Sequence, residues 1–148
     1  MASYDRILVP TDGSDGVERA IDHALEEAAT HDATIHGLYV LSTDSYAGLA
    51  MESSWERVDR LLREDAKAAV ARIHELADQK DASVEVETVM IEGNPSREIV
   101  RYSENEGCDL IVMGTHGRGG IDRLLLGSVA ESVIRASSVP VTTVPVDG

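Results

Sequence analysis

The sequence is short of cysteine and of long apolar runs, and both shortages exclude classes of protein. Its one cysteine, Cys108, leaves no partner for a disulfide within the chain or for a Cys-based metal or redox motif. Cys108 opens an apolar run, so we interpret it as a small core residue rather than a nucleophile. No apolar run approaches the roughly 20 residues of a membrane span, and the N-terminus lacks the pattern of a signal peptide. We therefore expect a cytoplasmic protein without a membrane partner.

Basic residues are also scarce. The chain has 13 Lys and Arg against 27 Asp and Glu, a formal net charge of −14, and it contains no Phe. Lys67 and Lys80 are its only lysines. Because phosphate backbones are bound by Lys and Arg, this balance argues against nucleic acid partners. We interpret the composition as that of a halophile's cytoplasmic protein, and an ordinary acidic cytosolic protein is the alternative.

What the sequence does contain is a regular alternation of strand and helix patterns. At 148 residues, a single domain spanning 1–148 is expected. Apolar runs predict strands and helical spacings predict the intervening helices. The predicted strands are 6–10, 33–41, 83–91, 108–113 and 139–146. Such alternation predicts a parallel sheet with helices on both faces. Residues 42–54 show no period and predict a loop, which is either a lid or a plain connector.

The stretch 108–145 carries the strongest chemical signal. Its predicted strand leads into a loop with glycines at 114, 117, 119 and 120, and then into Gly127-Ser128 and a helix. Ser128 with Glu131 three residues later has the spacing of a capping box, which predicts Ser128 as the N-cap. A helix start beside glycines favours a phosphate. Capping and turning alone would explain the same residues. Neither a Walker A loop nor the Rossmann dinucleotide fingerprint is present.

The spacing Gly114-x2-Gly117-x9-Gly127-Ser128 resembles the ATP-binding signature G-x2-G-x9-G-[ST] of the universal stress protein family. The resemblance covers nearly the whole chain. It implies a doubly wound five-stranded parallel sheet of order 3-2-1-4-5, the adenine-nucleotide α-hydrolase-like fold. The strand order then reverses between strands one and four, and ligands of such sheets bind at that reversal.

The resemblance also implies a site for ATP with Mg²⁺ or Mn²⁺. The positions that it assigns to the nucleotide are Pro10, Thr11, Asp12, Val40, Met113, Gly114, Gly117, Arg118, Gly127, Ser128 and Val129. Asp12 would lie on the ribose and metal–phosphate side, holding the metal indirectly, although a turn-forming role would explain it equally. The backbone of Val40 would meet the adenine edge. Arg118 and Arg123 could neutralise phosphate or simply be solvated. His116 has no evident partner for proton transfer, so no catalytic residue is expected.

The resemblance finally implies an assembly and a role. Strand 139–146 would be a bare apolar edge, which invites association, and in this family it pairs with a second copy to form a homodimer. Two prolines in the strand could instead blunt the edge. The implied role is a nucleotide-dependent regulator of the stress response, acting through an unidentified protein partner, with at most slow ATP hydrolysis. The alternatives are an interaction module of the same fold that binds no nucleotide, and an adenylyl-transferring enzyme.

Overall fold

Strands and helices alternate along the chain, as the sequence predicts. The computed structural model describes residues 4–14, 16–42, 52–80, 83–115 and 127–145. Within those residues the elements are β1 Arg6–Pro10, α1 Val17–His31, β2 Thr34–Ser42, α2 Glu52–Lys80, β3 Val86–Gly93, α3 Pro95–Asn105, β4 Leu110–Gly114, α4 Ser128–Ala136 and β5 Val141–Val144. No helix in this part of the chain is long and apolar enough to cross a membrane.

The five strands form one parallel sheet. Its order is β3-β2-β1-β4-β5, so the predicted order is confirmed. β1 lies between β2 and β4. The connections that leave β1 and β4 therefore lead to opposite faces of the sheet, and they leave a crevice at its carboxyl edge.

Helices cover both faces of the sheet. Side chains of α1 and α2 pack on one face with Ile7 and Val9, and side chains of α3 and α4 pack on the other face with Leu8. The predicted apolar face of α1 is buried in full: Val17, Ala20, Ile21, Ala24, Leu25 and Ala28. Burial on both faces explains why β1 reads as a continuous apolar run rather than as an alternating one.

Several element ends differ from the prediction. β5 covers only Val141–Val144, because Pro140 and Pro145 flank it and a proline lacks the N–H that a sheet requires. α2 already begins at Glu52, so its first turn occupies the end of the predicted loop, while residues 43–51 of that loop lie outside the described residues.

The first residues of the predicted fourth strand lie before β4. Cys108 is 3% exposed, and burial raises the pKa of its thiol to about 11. The carboxylate of Asp109 accepts hydrogen bonds from the backbone N–H groups of Asp5 and Arg6, at 2.7 and 3.0 Å. Asp109 thus connects this segment to the start of β1, and ladder pairing of β4 with β1 begins at Leu110. The prediction that Cys108 is a core residue is confirmed.

Candidate functional site

A cavity of about 590 Å³ opens at the carboxyl edge of the sheet. The ends of β1, β2 and β4 form its floor, and the first residues of α3 and α4 and Leu62 of α2 form its walls. Its size lies within the range of about 300–1,000 Å³ that small-molecule sites occupy. Because the ends of β1 and β4 both line it, the cavity lies where the strand order reverses.

Every predicted site residue that the structure describes lines this cavity. Those residues are Pro10, Thr11, Asp12, Val40, Met113, Gly114, Gly127, Ser128 and Val129. Gly117 and Arg118 lie outside the described residues, as do His116 and Arg123. Positions far apart in the chain are thus brought to one place by the sheet order.

The start of α4 supplies hydrogen-bond donors to the cavity. The first backbone bond of the helix runs from the N–H of Glu131 to the carbonyl of Gly127, at 3.0 Å. The amides of Ser128, Val129 and Ala130 come before it, and no side chain caps them. Amides in this position carry the partial positive charge of a helix N-terminus, which favours an anion.

The predicted N-cap role of Ser128 is wrong by one residue. Gly127 is the N-cap, with extended φ and ψ of −65° and 156°. Its N–H donates to the carbonyl of Thr115 at 2.7 Å, and this bond holds Gly127 outside the helix. The helix therefore begins at Ser128. Glu131 does not complete a capping box, and its carboxylate pairs instead with Arg135.

The start of α3 faces the same cavity but is closed to an anion. Asn94 is the N-cap, and its Oδ1 accepts from the N–H of Arg97 at 3.1 Å and from the hydroxyl of Ser96 at 3.0 Å. Pro95 occupies the first helical position, as predicted, and has no N–H to offer. Pro95 and Ile99 consequently present apolar surface to the cavity.

The turn after β1 places Asp12 at the cavity, and the side chain of Asp12 also forms a hydrogen bond within that turn. The N–H of Thr11 donates to the carbonyl of Leu38 at 2.9 Å, which extends the pairing of β1 with β2 by one residue. Oδ1 of Asp12 accepts from the N–H of Ser14 at 2.9 Å, and Gly13 has a positive φ of 78°. Asp12 therefore forms the turn and also lines the cavity.

The rest of the cavity lining is largely apolar, and most of its apolar residues do not appear among the predicted site residues. They are Leu38, Tyr39, Leu41, Leu62, Pro95 and Ile99. In the sequence these residues have the same spacing as core residues, so no local pattern distinguishes them. The available signal is topological, since each lies near the end of an element that reaches the carboxyl edge. The cavity thus has an apolar part and a part rich in backbone amides.

Among the described residues that line the cavity, Asp12 is the only charged one. Arg72 lines a smaller cavity of about 150 Å³ that shares Thr11 and Val17 with the larger one. Arg72 forms two hydrogen bonds to the carboxylate of Glu18, at 2.9 and 3.0 Å, and one to Glu75. The hydrogen bonds from Arg72 lower the pKa of Glu18. Arg72 is therefore already committed to two carboxylates.

Comparison with known proteins identifies the family. The model of the universal stress protein family matches residues 3–145. A universal stress protein of Methanocaldococcus jannaschii is 42% identical over 141 residues, covering 95% of this chain and 82% of that protein. The structure of universal stress protein UspA from Lactobacillus plantarum is similar with a TM-score of 0.82 at 25% identity, covering 97% of this chain and 99% of that one. A crystal structure of a universal stress protein in complex with cAMP has a TM-score of 0.64 at 27% identity, covering 99% and 100%. This chain belongs to the universal stress protein family.

Proposed function

We propose that this protein binds ATP in the cavity at the carboxyl edge of the sheet and acts as a nucleotide-dependent regulator. The observation that carries the proposal is the start of α4, where residues 128–130, whose amides no side chain caps, line a cavity whose remaining lining is largely apolar. A nucleotide matches that division, because its base is largely apolar and its phosphates are anionic. The cAMP complex of a related protein supports an adenine nucleotide as the ligand class.

The proposal assigns an orientation to the ligand. The adenine lies against the apolar side, near Val40 and Ile99, and the phosphates lie at Ser128 and Val129. Gly114 leaves room beside the ribose because it has no side chain. Gly117 and Arg118, which lie outside the described residues, are proposed as further contacts of the nucleotide.

A divalent metal fits this site only together with the nucleotide. Among the described residues, no group of three or more His, Cys, Asp or Glu side chains could hold a metal ion. Asp12 is the one carboxylate of the described cavity lining. Mg²⁺ characteristically keeps several waters and takes one or two carboxylates together with substrate phosphates. We therefore propose that Mg²⁺ or Mn²⁺ enters with ATP, with Asp12 on the metal side of the phosphates.

The described lining offers little for catalysis. General base catalysis requires a titratable group within hydrogen-bond reach of the attacking water, and Asp12 already accepts a turn hydrogen bond from Ser14. We propose at most slow ATP hydrolysis, so that the bound state itself is the signal to a protein partner.

We also propose a homodimer through the edge of the sheet at β5. β5 pairs with β4 on one side, and no strand of the described chain covers its other side. All its residues are half-buried, and Ile134 on the adjacent α4 is 42% exposed. Sedimentation equilibrium should therefore give a dimer, and Ile134→Glu should shift it towards monomer. A wild-type monomer at high micromolar concentration would contradict the assembly.

One experiment separates the candidate functions. The protein is purified without added nucleotide in molar KCl and denatured, and the supernatant is analysed by anion exchange for adenine nucleotides per chain. We expect near-stoichiometric ATP, and calorimetric binding of ATP with Mg²⁺ or Mn²⁺ by the emptied protein. Incubation with ATP should give ADP at a trace rate, whereas AMP plus pyrophosphate would support an adenylyl-transferring enzyme. If the supernatant contains no nucleotide and the titration shows no heat of binding, the remaining candidate is the interaction module that binds no nucleotide.

A further inference from the structure

We propose that nucleotide binding to this cavity tightens as the salt concentration rises, so that ionic strength sets the occupancy of the site. The inference rests on the proposed function and concerns its regulation. It follows from two observations together: a chain of net charge −14, and a cavity whose described lining contains Asp12 but no cationic side chain. The ligand itself is a polyanion, so protein and ligand carry charge of the same sign.

Seven basic side chains in the described part of the chain bind partners, and none of the seven lines the cavity. Four arginines and a lysine pair with carboxylates: Arg63 with Asp59 and Glu92, Arg72 with Glu18 and Glu75, Arg101 with Glu98, Arg135 with Glu131, and Lys80 with Glu26. Two further arginines donate to backbone carbonyls, Arg6 to Glu106 and Arg19 to Pro145. The donors that the described lining offers to phosphates are therefore backbone amides and hydroxyl groups, not cationic side chains.

Salt acts differently on the two electrostatic contributions. The attraction between phosphate and the amides of α4 operates at contact inside a cavity, where screening is weak. The repulsion between the net charges operates over the whole approach of the ligand. The Debye length is about 10 Å at 0.1 M salt and about 3 Å at 1 M, so the repulsion is largely removed across that range. A site built on Lys and Arg shows the opposite trend, because salt weakens its attraction.

The magnitude and its kinetic origin can both be stated. For net charges of −14 and about −2, Coulomb repulsion with Debye screening predicts an affinity gain of about tenfold between 0.1 and 1 M KCl. Long-range fields act mainly on encounter, so most of the gain should lie in the association rate constant. A rise in affinity caused by salting-out of the apolar base would instead slow dissociation.

The test is stopped-flow binding of Mg²⁺ with a fluorescent N-methylanthraniloyl ATP at 0.1, 0.3 and 1 M KCl. We expect the Kd to fall about tenfold over this range, with the association rate constant rising and the dissociation rate constant changing less than about twofold. Adenosine, measured by competition, is the matched uncharged ligand, and its Kd should change far less. Circular dichroism at each salt concentration verifies that the protein is folded.

Two double variants locate the repulsion. Glu56 and Glu64 are exposed on the half of α2 that begins at the carboxyl edge, where Leu62 lines the cavity. Glu104 and Asp78 are exposed near the ends of α3 and α2, at the opposite edge of the sheet. Glu56→Gln with Glu64→Gln should raise the association rate constant about two- to threefold at 0.1 M KCl and little at 1 M. Asp78→Asn with Glu104→Gln should have a clearly smaller effect.

The outcomes distinguish this inference from the function on which it rests. No nucleotide binding at any salt concentration by a folded protein refutes the proposed function. Binding whose Kd is unchanged or rises with salt refutes the salt inference alone, and a falling association rate constant would point to cationic side chains of segment 116–126 at the phosphates. Equal gains for ATP and adenosine, with slower dissociation of both, would also refute it.

Discussion

Replacing Gly127 by aspartate should stabilise the fold and at the same time weaken nucleotide binding more than about a hundredfold. Gly127 is an N-cap with backbone angles that any residue can adopt, and the amides of Val129 and Ala130 lie within reach of an N-cap side chain. An aspartate there would accept a hydrogen bond from one of those amides, which is the interaction that we assign to phosphate. The substitution therefore supplies an internal competitor for the ligand.

The two effects can be estimated separately. Aspartate is better than glycine at an N-cap by a few tenths of a kcal/mol, and its charge at a helix start adds about 0.3–1 kcal/mol. The melting temperature should thus rise by about 2–4 °C for a domain of this size. Nucleotide binding loses a charge-assisted hydrogen bond of about 1.5–3 kcal/mol and gains a like-charge contact of about 2 kcal/mol. Together these terms amount to about 3.5–5 kcal/mol, so the Kd for ATP should rise by between about 300-fold and 5,000-fold.

Calorimetric titration with Mg²⁺ and ATP, and thermal denaturation without nucleotide, measure the two effects. Gly127→Ala is the control, because alanine offers no acceptor and leaves the amides available. It should keep ATP binding within about tenfold of the wild type, since it removes no hydrogen bond to the phosphates. An aspartate variant that binds ATP within threefold of the wild type would refute the assignment of phosphate to the start of α4. A variant that is less stable than the wild type would refute Gly127 as the N-cap.

Further predictions concern the rest of the fold. Arg72 lowers the pKa of Glu18, so the stability from this ion pair is complete above the ordinary carboxyl pKa of about 4.3 and is lost as the pH falls through the lowered value. The pair is partly exposed, so Glu18→Gln should cost about 0.5 kcal/mol at pH 7, and the difference from the wild type in urea unfolding should vanish near pH 2. Burial raises the pKa of Cys108 to about 11, so Ellman's reagent should find no reactive thiol in the native protein at pH 8 and one after unfolding. A Cβ on Gly37 would lie 2.6 Å from Cδ1 of the fully buried Ile73, so Gly37→Ala should destabilise the fold by about 1–3 kcal/mol in chemical denaturation.

Local chemistry that is complete within a few residues is predictable from this sequence. β1 has the predicted bounds, and α3 begins with the predicted Asn94 cap and Pro95. The start of α4 was misplaced by one residue, because a hydrogen bond from Gly127 to Thr115 decides it, and Thr115 comes twelve positions earlier in the sequence. A capping pattern covers only a few consecutive residues, so it cannot reveal a hydrogen bond between residues twelve positions apart. The shorter β5 has the opposite explanation, because Pro140 and Pro145 stand in the sequence itself and each lacks the N–H that ladder pairing requires.

The cavity lining also contains a part that the sequence predicts and a part that it does not. Its amide side was predictable, because glycines and a helix start form a spacing that can be recognised as a pattern. Its apolar side was not, because Leu38, Leu62 and Ile99 follow the same periodicities as residues that are wholly internal. These residues line the cavity because three elements come together at one edge of the sheet. That arrangement depends on the strand order, which no local pattern in the sequence contains.

The contrast between the two helix starts gives the cavity a direction. One start is closed by the side chain of Asn94 and by Pro95, and the other leaves the amides of residues 128–130 open. A ligand with a single anionic end can therefore place that end at the amides of α4. In the reversed orientation it would find no comparable group of free amides in the described lining and would bind more weakly. A dinucleoside polyphosphate would place one base among the apolar side chains and find no comparable place for its second base in the described lining. Under the proposed function, the described lining therefore favours a mononucleotide through its polarity rather than through the volume of the cavity.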